Sequence, residues 1–358
     1  MKILLLANHL KPGGISRYCL SLGAGLNRLG HKVFLATSGG AWCRLCAAAG
    51  IEHITVPLTT KSILSLKVIR TSFILRRFIK ENGIQIVHAN TRVTQMAAFL
   101  LSKICRVPYI VTFHGFYRPH FFRKVFPLAG KYCIAVSNAV RDHMIKDFGI
   151  VTEKITTVYN GIDPAPKDNV SFNKQSINLK TDDFVVGMLG RISIEKGHFL
   201  AFDAMSLLWK DERYASVKFL ISGEGKLKDS FLHYVRENGF SDRVIIINEP
   251  AGISLKIMDI MLMPSSKEGF GYSVLEAFMN DVAVIGYNIG GIAEIIEDGV
   301  SGLLFSEYTP ESLAEKIKTL IDDSQLRVKL SIGALSRLRK FSQNDMAVNT
   351  YNVYEEAF

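Results

Sequence analysis

Apolar residues along this chain of 358 amino acids gather into short unbroken runs, separated by longer stretches with helical spacing. The runs at 2–7, Lys32–Thr37, 84–88, Tyr109–Phe113 and 134–137 predict strands. A second series follows at 184–189, 217–222, 244–248, 257–263 and Ala283–Tyr287. Runs of this kind suit strands buried on both faces. Their alternation with helical patterns predicts an α/β protein with parallel sheets covered by helices. Between the two series, residues 165–181 are polar and poorly periodic, as a linker is. From Pro310 onward the pattern is helical and charged. The pattern therefore predicts two domains, 1–165 and 166–340, followed by a final helix at 341–358.

The stretch 264–278 carries the most concentrated chemistry. Glu268 and Glu276 lie eight residues apart, with Gly269, Phe270 and Gly271 between them. An apolar strand at 257–263 would end at Pro264 and a helix would begin at Ser273. A strand, a glycine-bearing loop and a helix N-terminus aim unpaired backbone N–H groups and the positive dipole end at one spot. Glu268 would sit in the loop and Glu276 on the first turns of the helix, both facing that spot. Carboxylates accept hydrogen bonds from hydroxyls, so the ligand implied carries both phosphates and hydroxyls, as a nucleotide sugar does.

Three other places offer matching groups. After the 184–189 strand, Gly190 leads into Arg191 and Lys196, five residues apart, which could clasp a diphosphate by a planar fork and a point charge. An ordinary solvated loop with two surface charges is the bland alternative. Near the start, Gly13 and Gly14 stand between a strand and a helix-like run at 18–29, where a phosphate could approach the backbone; a plain tight turn reads equally well. His114 follows the Tyr109–Phe113 strand, at the end where open α/β sheets place ligand-binding groups; taken alone, it also fits a histidine capping a strand end.

Composition narrows the classes. The chain is 48% hydrophobic and 21% charged, as a globular protein is, and has no run of eighteen apolar residues to span a membrane. Residues 1–6 look like the start of a signal peptide, but His9, Lys11 and the glycine pair interrupt the run, so a buried first strand is expected. The five cysteines, 19, 43, 46, 105 and 133, lie mostly among apolar neighbours. They read as reduced thiols in a cytoplasmic protein. Charge is uneven: residues 1–165 hold 22 Lys/Arg against 6 Asp/Glu, whereas 166–358 hold 21 against 27. The first half is expected to meet something anionic. No nucleic-acid module accompanies that charge.

These motifs together resemble the retaining glycosyltransferases of the GT-B fold, family-4 branch. The resemblance covers nearly the whole chain. It rests on Gly13-Gly14, Thr112-Phe113-His114-Gly115, Val136-Ser137-Asn138, Asn160-Gly161-Ile162-Asp163, Gly190-Arg191 with Lys196-Gly197, Gly223-Glu224-Gly225, the Glu268/Glu276 pair and Gly290-Gly291 with Glu294. It implies two Rossmann-like domains facing across a cleft, with the final helix crossing back onto the first. By the same resemblance, Arg191 and Lys196 hold the donor diphosphate and Glu276 binds the ribose. Glu268 positions the donor sugar, with the Gly269 and Phe270 amides near the sugar or diphosphate. Gly190, Gly223 and Gly271 complete the donor site, His114 contacts the sugar from the opposite domain, and the Gly14 backbone approaches the phosphate or acceptor. No metal or cofactor is implied, since two cations and helix termini can do a divalent ion's work. The segment 244–264 is shorter than in typical members, in the region that touches the nucleotide base; a UDP-sugar is favoured over a GDP-sugar.

The leading expectation is a metal-independent hexosyltransferase acting on a membrane-associated lipid or glycolipid of lipopolysaccharide or other cell-envelope type. A soluble transferase acting on a sugar phosphate or small glycoside is the alternative, and a non-catalytic nucleotide-sugar-binding subunit is the alternative of another class. The membrane expectation rests on residues 63–80, which read as one helix. Ile63, Leu64, Val68, Ile74, Leu75, Phe78 and Ile79 fall on an arc suited to the core. The opposite arc mixes Arg70, Arg76, Arg77 and Lys80 with Leu66, Ile69 and Phe73, a composition that fits an anionic lipid surface; apolar residues buried by neighbouring helices, beside merely solvated cations, are the bland alternative. A second such contact is expected around Arg118, Arg123 and Lys124, and Gly13 is placed on the same acceptor side. The protein is thus expected to be peripheral on the inner face of the cytoplasmic membrane.

Overall fold

The computed structural model describes residues 1–119, 123, 125–163 and 172–358. The chain divides into two units. The first comprises Met1–Asp163 together with Phe341–Phe358, and the second Pro164–Lys340.

Among the described residues, the first unit is built on seven parallel strands: β1 Lys2–Leu6, β2 Lys32–Thr37, β3 Glu52–Thr55, β4 Ile86–Ala89, β5 Tyr109–Phe113, β6 Cys133–Ala135 and β7 Ile155–Thr157. Their spatial order is β3-β2-β1-β4-β5-β6-β7. Beyond the first residue of β1 and of β5, the central strands are buried because helices cover both faces. The order reverses between β1 and β4, so their carboxyl ends form the crevice where doubly wound sheets bind ligands.

The second unit repeats the plan with six strands among its described residues: β8 Val185–Leu189, β9 Lys218–Ser222, β10 Val244–Ile247, β11 Ile260–Met263, β12 Ala283–Tyr287 and β13 Leu303–Phe305. Their order is β10-β9-β8-β11-β12-β13, all parallel. Its core packs Phe202, Phe219, Phe231, Ile260, Ile285 and Leu313. The reversal here falls between β8 and β11.

The C-terminal helix, Gln343–Glu356, packs against the Gly14–Arg28 helix of the first unit. The Asn160-Gly161-Ile162-Asp163 motif fastens the chain entering it. Ile162 N–H donates to the Phe341 carbonyl (2.9 Å), and Arg28 Nη2 meets Asp163 Oδ2 (2.7 Å). A Cβ at Gly161 would lie 2.2 Å from the Ser342 carbonyl oxygen, so only glycine allows this approach. All five cysteines are free.

Several expected bounds shift, each for a local reason. The helix expected at 63–80 is Leu66–Asn82, because Ser65 caps it by accepting from Lys67 N–H. Ile63 and Leu64 therefore precede the helix, and Leu64, like Ile74, is exposed rather than core. The strand expected at 257–263 shortens to Ile260–Met263, since the Ala251–Leu255 helix and its turn precede it. The helix expected at 18–29 starts earlier, at Gly14, so the paired glycines are its N-terminus rather than a loop before it.

Candidate functional site

In the second unit the loops leaving the strand ends are bonded backbone to backbone. Gly190 N–H donates to the Ser222 carbonyl (2.9 Å), Ile192 N–H to that of Glu224 (3.1 Å) and Ser266 N–H to that of Glu195 (2.9 Å). Gly291 N–H donates to the Glu268 carbonyl (3.1 Å). Glycine is required where the loops touch. A Cβ on Gly223 would lie 2.1 Å from the Gly190 oxygen, and one on Gly291 2.4 Å from Phe270 Cα. The glycines scattered through the motifs are thus contact points of one loop cluster at the β8/β11 crevice.

That cluster brings two of the expected donor-site residues into direct contact. Lys196 Nζ donates to Glu268 Oε2 at 2.6 Å, and both side chains are mostly sheltered from solvent. The pair joins the Ile194–Lys196 turn after β8 to the loop after β11, across the strand-order reversal. A diphosphate taken up by Lys196 must therefore share or displace Glu268. Arg191, by contrast, is exposed. Ser265, beside Glu268 in the β11 loop, is buried and its hydroxyl has no partner among the described residues. A sequence motif would not single out that hydroxyl.

Gly271, with φ of 110°, turns the chain into the Tyr272–Met279 helix, one residue ahead of the expected start. Phe270 is buried, its ring edge-on to Tyr272 at 5.7 Å. Glu276 sits half-buried on the second turn of that helix. The unit thus presents backbone N–H groups at a helix start, a lysine and two carboxylates around one set of loops. That set can bind an anion and accept hydroxyl hydrogen bonds.

The first unit has its own cluster at the β1/β4 crevice. Gly13 and Gly14 are exposed, and the space beside Gly13 is open. The Thr91 hydroxyl after β4 donates to Asn8 Oδ1 after β1 (2.5 Å). His114, after β5, is half-buried. Its Nε2 bonds Asn90 Oδ1 at 3.0 Å, and its ring meets Tyr18 edge-on at 4.6 Å. Burial pushes the His114 pKa down to about 3, so the imidazole is neutral. Behind it, His88 bonds Thr112 Oγ1 through Nε2 (2.7 Å) and the Tyr354 hydroxyl through Nδ1 (2.8 Å). Burial, with His114 nearby, lowers the His88 pKa to about 3 as well. The C-terminal helix is thereby hydrogen-bonded to β4, whose neighbour β5 leads into His114. Asn90 and Tyr18 went unnoticed in the sequence, although Asn90 directly follows a buried strand end.

The basic positions of the first unit separate into two groups. Arg70, Arg76, Arg77 and Lys80 are exposed along the Leu66–Asn82 helix, beside exposed Leu66, Ile69 and Phe73. Arg77 is also paired with Glu81 (2.6 Å). Of the second expected contact, Arg118 is exposed, whereas Arg123 turns over the Tyr117 ring (4.9 Å to the centroid) and the Phe148 ring (5.7 Å). Lys124 lies outside the described residues.

Comparison with known proteins identifies the class. A model of the group 1 glycosyl transferases matches residues 169–337, and one of Glycosyltransferase Family 4 matches residues 12–166, nearly the whole chain between them. The chain belongs to this glycosyltransferase family and is a transferase enzyme. An uncharacterized glycosyltransferase of Methanocaldococcus jannaschii is 26% identical, the alignment covering 100% of this chain and 98% of the relative. The UDP-Gal:alpha-D-GlcNAc-diphosphoundecaprenol alpha-1,3-galactosyltransferase of Escherichia coli is 25% identical over 78% of this chain and 77% of its own. Among solved structures, Anabaena HepE in complex with UDP and glucose has a TM-score of 0.83 at 22% identity, covering 99% of this chain and 100% of that one. The two Rossmann-like sheets are those of the GT-B fold.

Proposed function

We propose that this chain transfers a hexose from a nucleotide diphosphate donor, a UDP-sugar in preference to a GDP-sugar, to a lipid or glycolipid acceptor held in a membrane, with retention of anomeric configuration. Lys196 and Arg191 take the diphosphate, Glu276 the ribose and Glu268 the sugar hydroxyls, without a metal. The bond between the anomeric carbon and the diphosphate oxygen breaks, and the acceptor oxygen bonds the same face. The acceptor proton passes to the departing phosphate. Preorganised charge at the departing diphosphate supplies the rate enhancement.

The observation that carries the acceptor half is the solvent-facing side of the Leu66–Asn82 helix, where large apolar side chains alternate with cations. Such a face enters the headgroup boundary while its cations meet anionic lipid. Among the described residues no helix is long and apolar enough to cross a membrane, so attachment on this reading is peripheral. The five free thiols support the reducing, cytoplasmic side. The Escherichia coli relative is named for a diphosphoundecaprenol acceptor, and HepE was solved with UDP; both support the reading.

The test supplies labelled UDP- and GDP-sugars to the purified protein, with membrane lipid extract or with soluble sugar phosphates. Label should enter the lipid fraction in an α-linkage when the donor is α, and UDP-sugars should serve best. Equal or better transfer to soluble sugar phosphates would refute the membrane acceptor in favour of the soluble alternative. Binding of the nucleotide sugar with neither hydrolysis nor transfer would refute catalysis.

A further inference from the structure

We propose that Asn90 is a positioning residue that holds His114 as its Nε2–H tautomer, so that Nδ1 is an uncharged acceptor for a ligand hydroxyl and not a partner for a phosphate. This rests on the glycosyl-transfer reading only for the identity of the ligand.

The argument begins with the Asn90 amide, which is fully buried at the carboxyl end of β4. Its Nδ2 donates to the carbonyls of Leu6 (3.3 Å) and His88 (3.4 Å). Both neighbours can only accept, so the NH₂ must face them and the side-chain oxygen must face the other way. That oxygen lies 3.0 Å from His114 Nε2. A carbonyl oxygen cannot donate, so Nε2 carries the hydrogen. Among the described residues, the groups around the imidazole are Tyr18, Tyr117 and His88, none of them charged. Burial keeps the ring neutral with its pKa near 3, so one proton is all it holds, and Asn90 has claimed its position. Nδ1 is left with a bare lone pair and makes no hydrogen bond to the described residues.

A bare lone pair accepts from a hydroxyl and repels a phosphate oxygen. The two cations proposed to take the diphosphate, Lys196 and Arg191, lie in the second unit. A histidine at a strand end is easily taken for a cation that meets phosphate; the amide of Asn90 makes it an uncharged acceptor instead. The orientation of that amide depends on two main-chain carbonyls, one from each strand flanking the order reversal, and so is set by the sheet itself.

The test uses protein labelled with ¹⁵N-histidine and long-range ¹H–¹⁵N correlation spectra, which distinguish protonated from bare ring nitrogens. His114 is assigned by the signals lost in His114→Asn. The wild type should show a protonated Nε2 and a bare Nδ1, unchanged from pH 5 to 8. Asn90→Leu should mix the tautomers and lower kcat about tenfold, the loss of one neutral hydrogen bond, with nucleotide affinity unchanged. Asn90→Asp keeps an acceptor toward Nε2 but adds a charge. It should retain the tautomer while raising the His114 pKa, so that transfer falls as pH drops toward 5. A protonated Nδ1 in the wild type, or a His114 titration between pH 5 and 8, would overturn the proposal whether or not the variants fold. Absence of sugar transfer with the expected tautomer intact would count against the glycosyl-transfer reading alone and leave the lock standing.

Discussion

Replacing Leu66, Ile69 and Phe73 together by serine is the sharpest probe of membrane attachment. The three side chains are 79%, 43% and 58% exposed, so little core packing is lost and folding should be nearly unchanged. Burying a whole side chain of this kind is worth about 1.5–3 kcal/mol, and the exposed fractions together leave about 3–5 kcal/mol to be gained at the lipid boundary. Insertion to headgroup depth is incomplete. The triple variant should therefore bind vesicles more weakly by ~10²-fold, each tenfold being 1.4 kcal/mol. The cations add a separate, salt-sensitive part. Arg70, Arg76 and Lys80 contribute about 1 kcal/mol each beside anionic lipid, whereas Arg77, already paired with Glu81, should contribute little. Co-sedimentation with neutral and anionic vesicles at low and high salt reads both parts. Binding should require anionic lipid, fall with salt, and weaken when Arg70, Arg76, Arg77 and Lys80 all become serine. Equal recovery on neutral and anionic vesicles would refute the reasoning, as would an unchanged triple variant.

Three further outcomes follow from the site and the buried histidines. Lys196→Ala or Arg191→Ala should each lower turnover at saturating donor by ~10²-fold, as for loss of one preorganised charge donor; near-normal turnover in either would remove that residue from the diphosphate site. Because Lys196 is paired with Glu268, Glu268→Gln should leave nucleotide affinity equal or stronger while transfer falls, and Glu276→Gln should weaken nucleotide binding. Calorimetry with the nucleotide alone separates the two, and the reverse pattern would exchange their roles. His88 and His198 are buried with pKa values lowered to about 3 and about 4. The unfolded chain therefore takes up protons below about pH 6.5 that the folded chain refuses, and stability should fall as pH drops from 6.5 toward 4, by up to about 1.4 kcal/mol per pH unit per histidine. Urea midpoints at pH 7, 6 and 5 measure this. His198→Phe, in a pocket beside Phe231, should make the slope shallower, and an unchanged slope would exclude His198 as a source.

The apolar pattern alone determined the two parallel sheets and most of their strands, because a strand covered on both faces must be apolar at every position. Lys32–Thr37, Tyr109–Phe113 and Ala283–Tyr287 stand where the pattern puts them. The strands it did not reveal, Glu52–Thr55, Ile155–Thr157 and Leu303–Phe305, are three or four residues long, and the first is half-exposed at a sheet edge. A short edge strand has too few buried positions to leave a pattern. The motif order likewise marked the loops that carry Lys196 and Glu268. Only the tertiary structure decided that these two residues, 72 positions apart, hold each other, that Asn90 sets the tautomer of His114, and that Leu64 and Ile74 face solvent while Val68 and Leu75 do not. Helical spacing assigns side chains to arcs. What covers an arc, and which partner claims a charge or a proton, depends on segments brought together from far along the chain, and no local pattern records that.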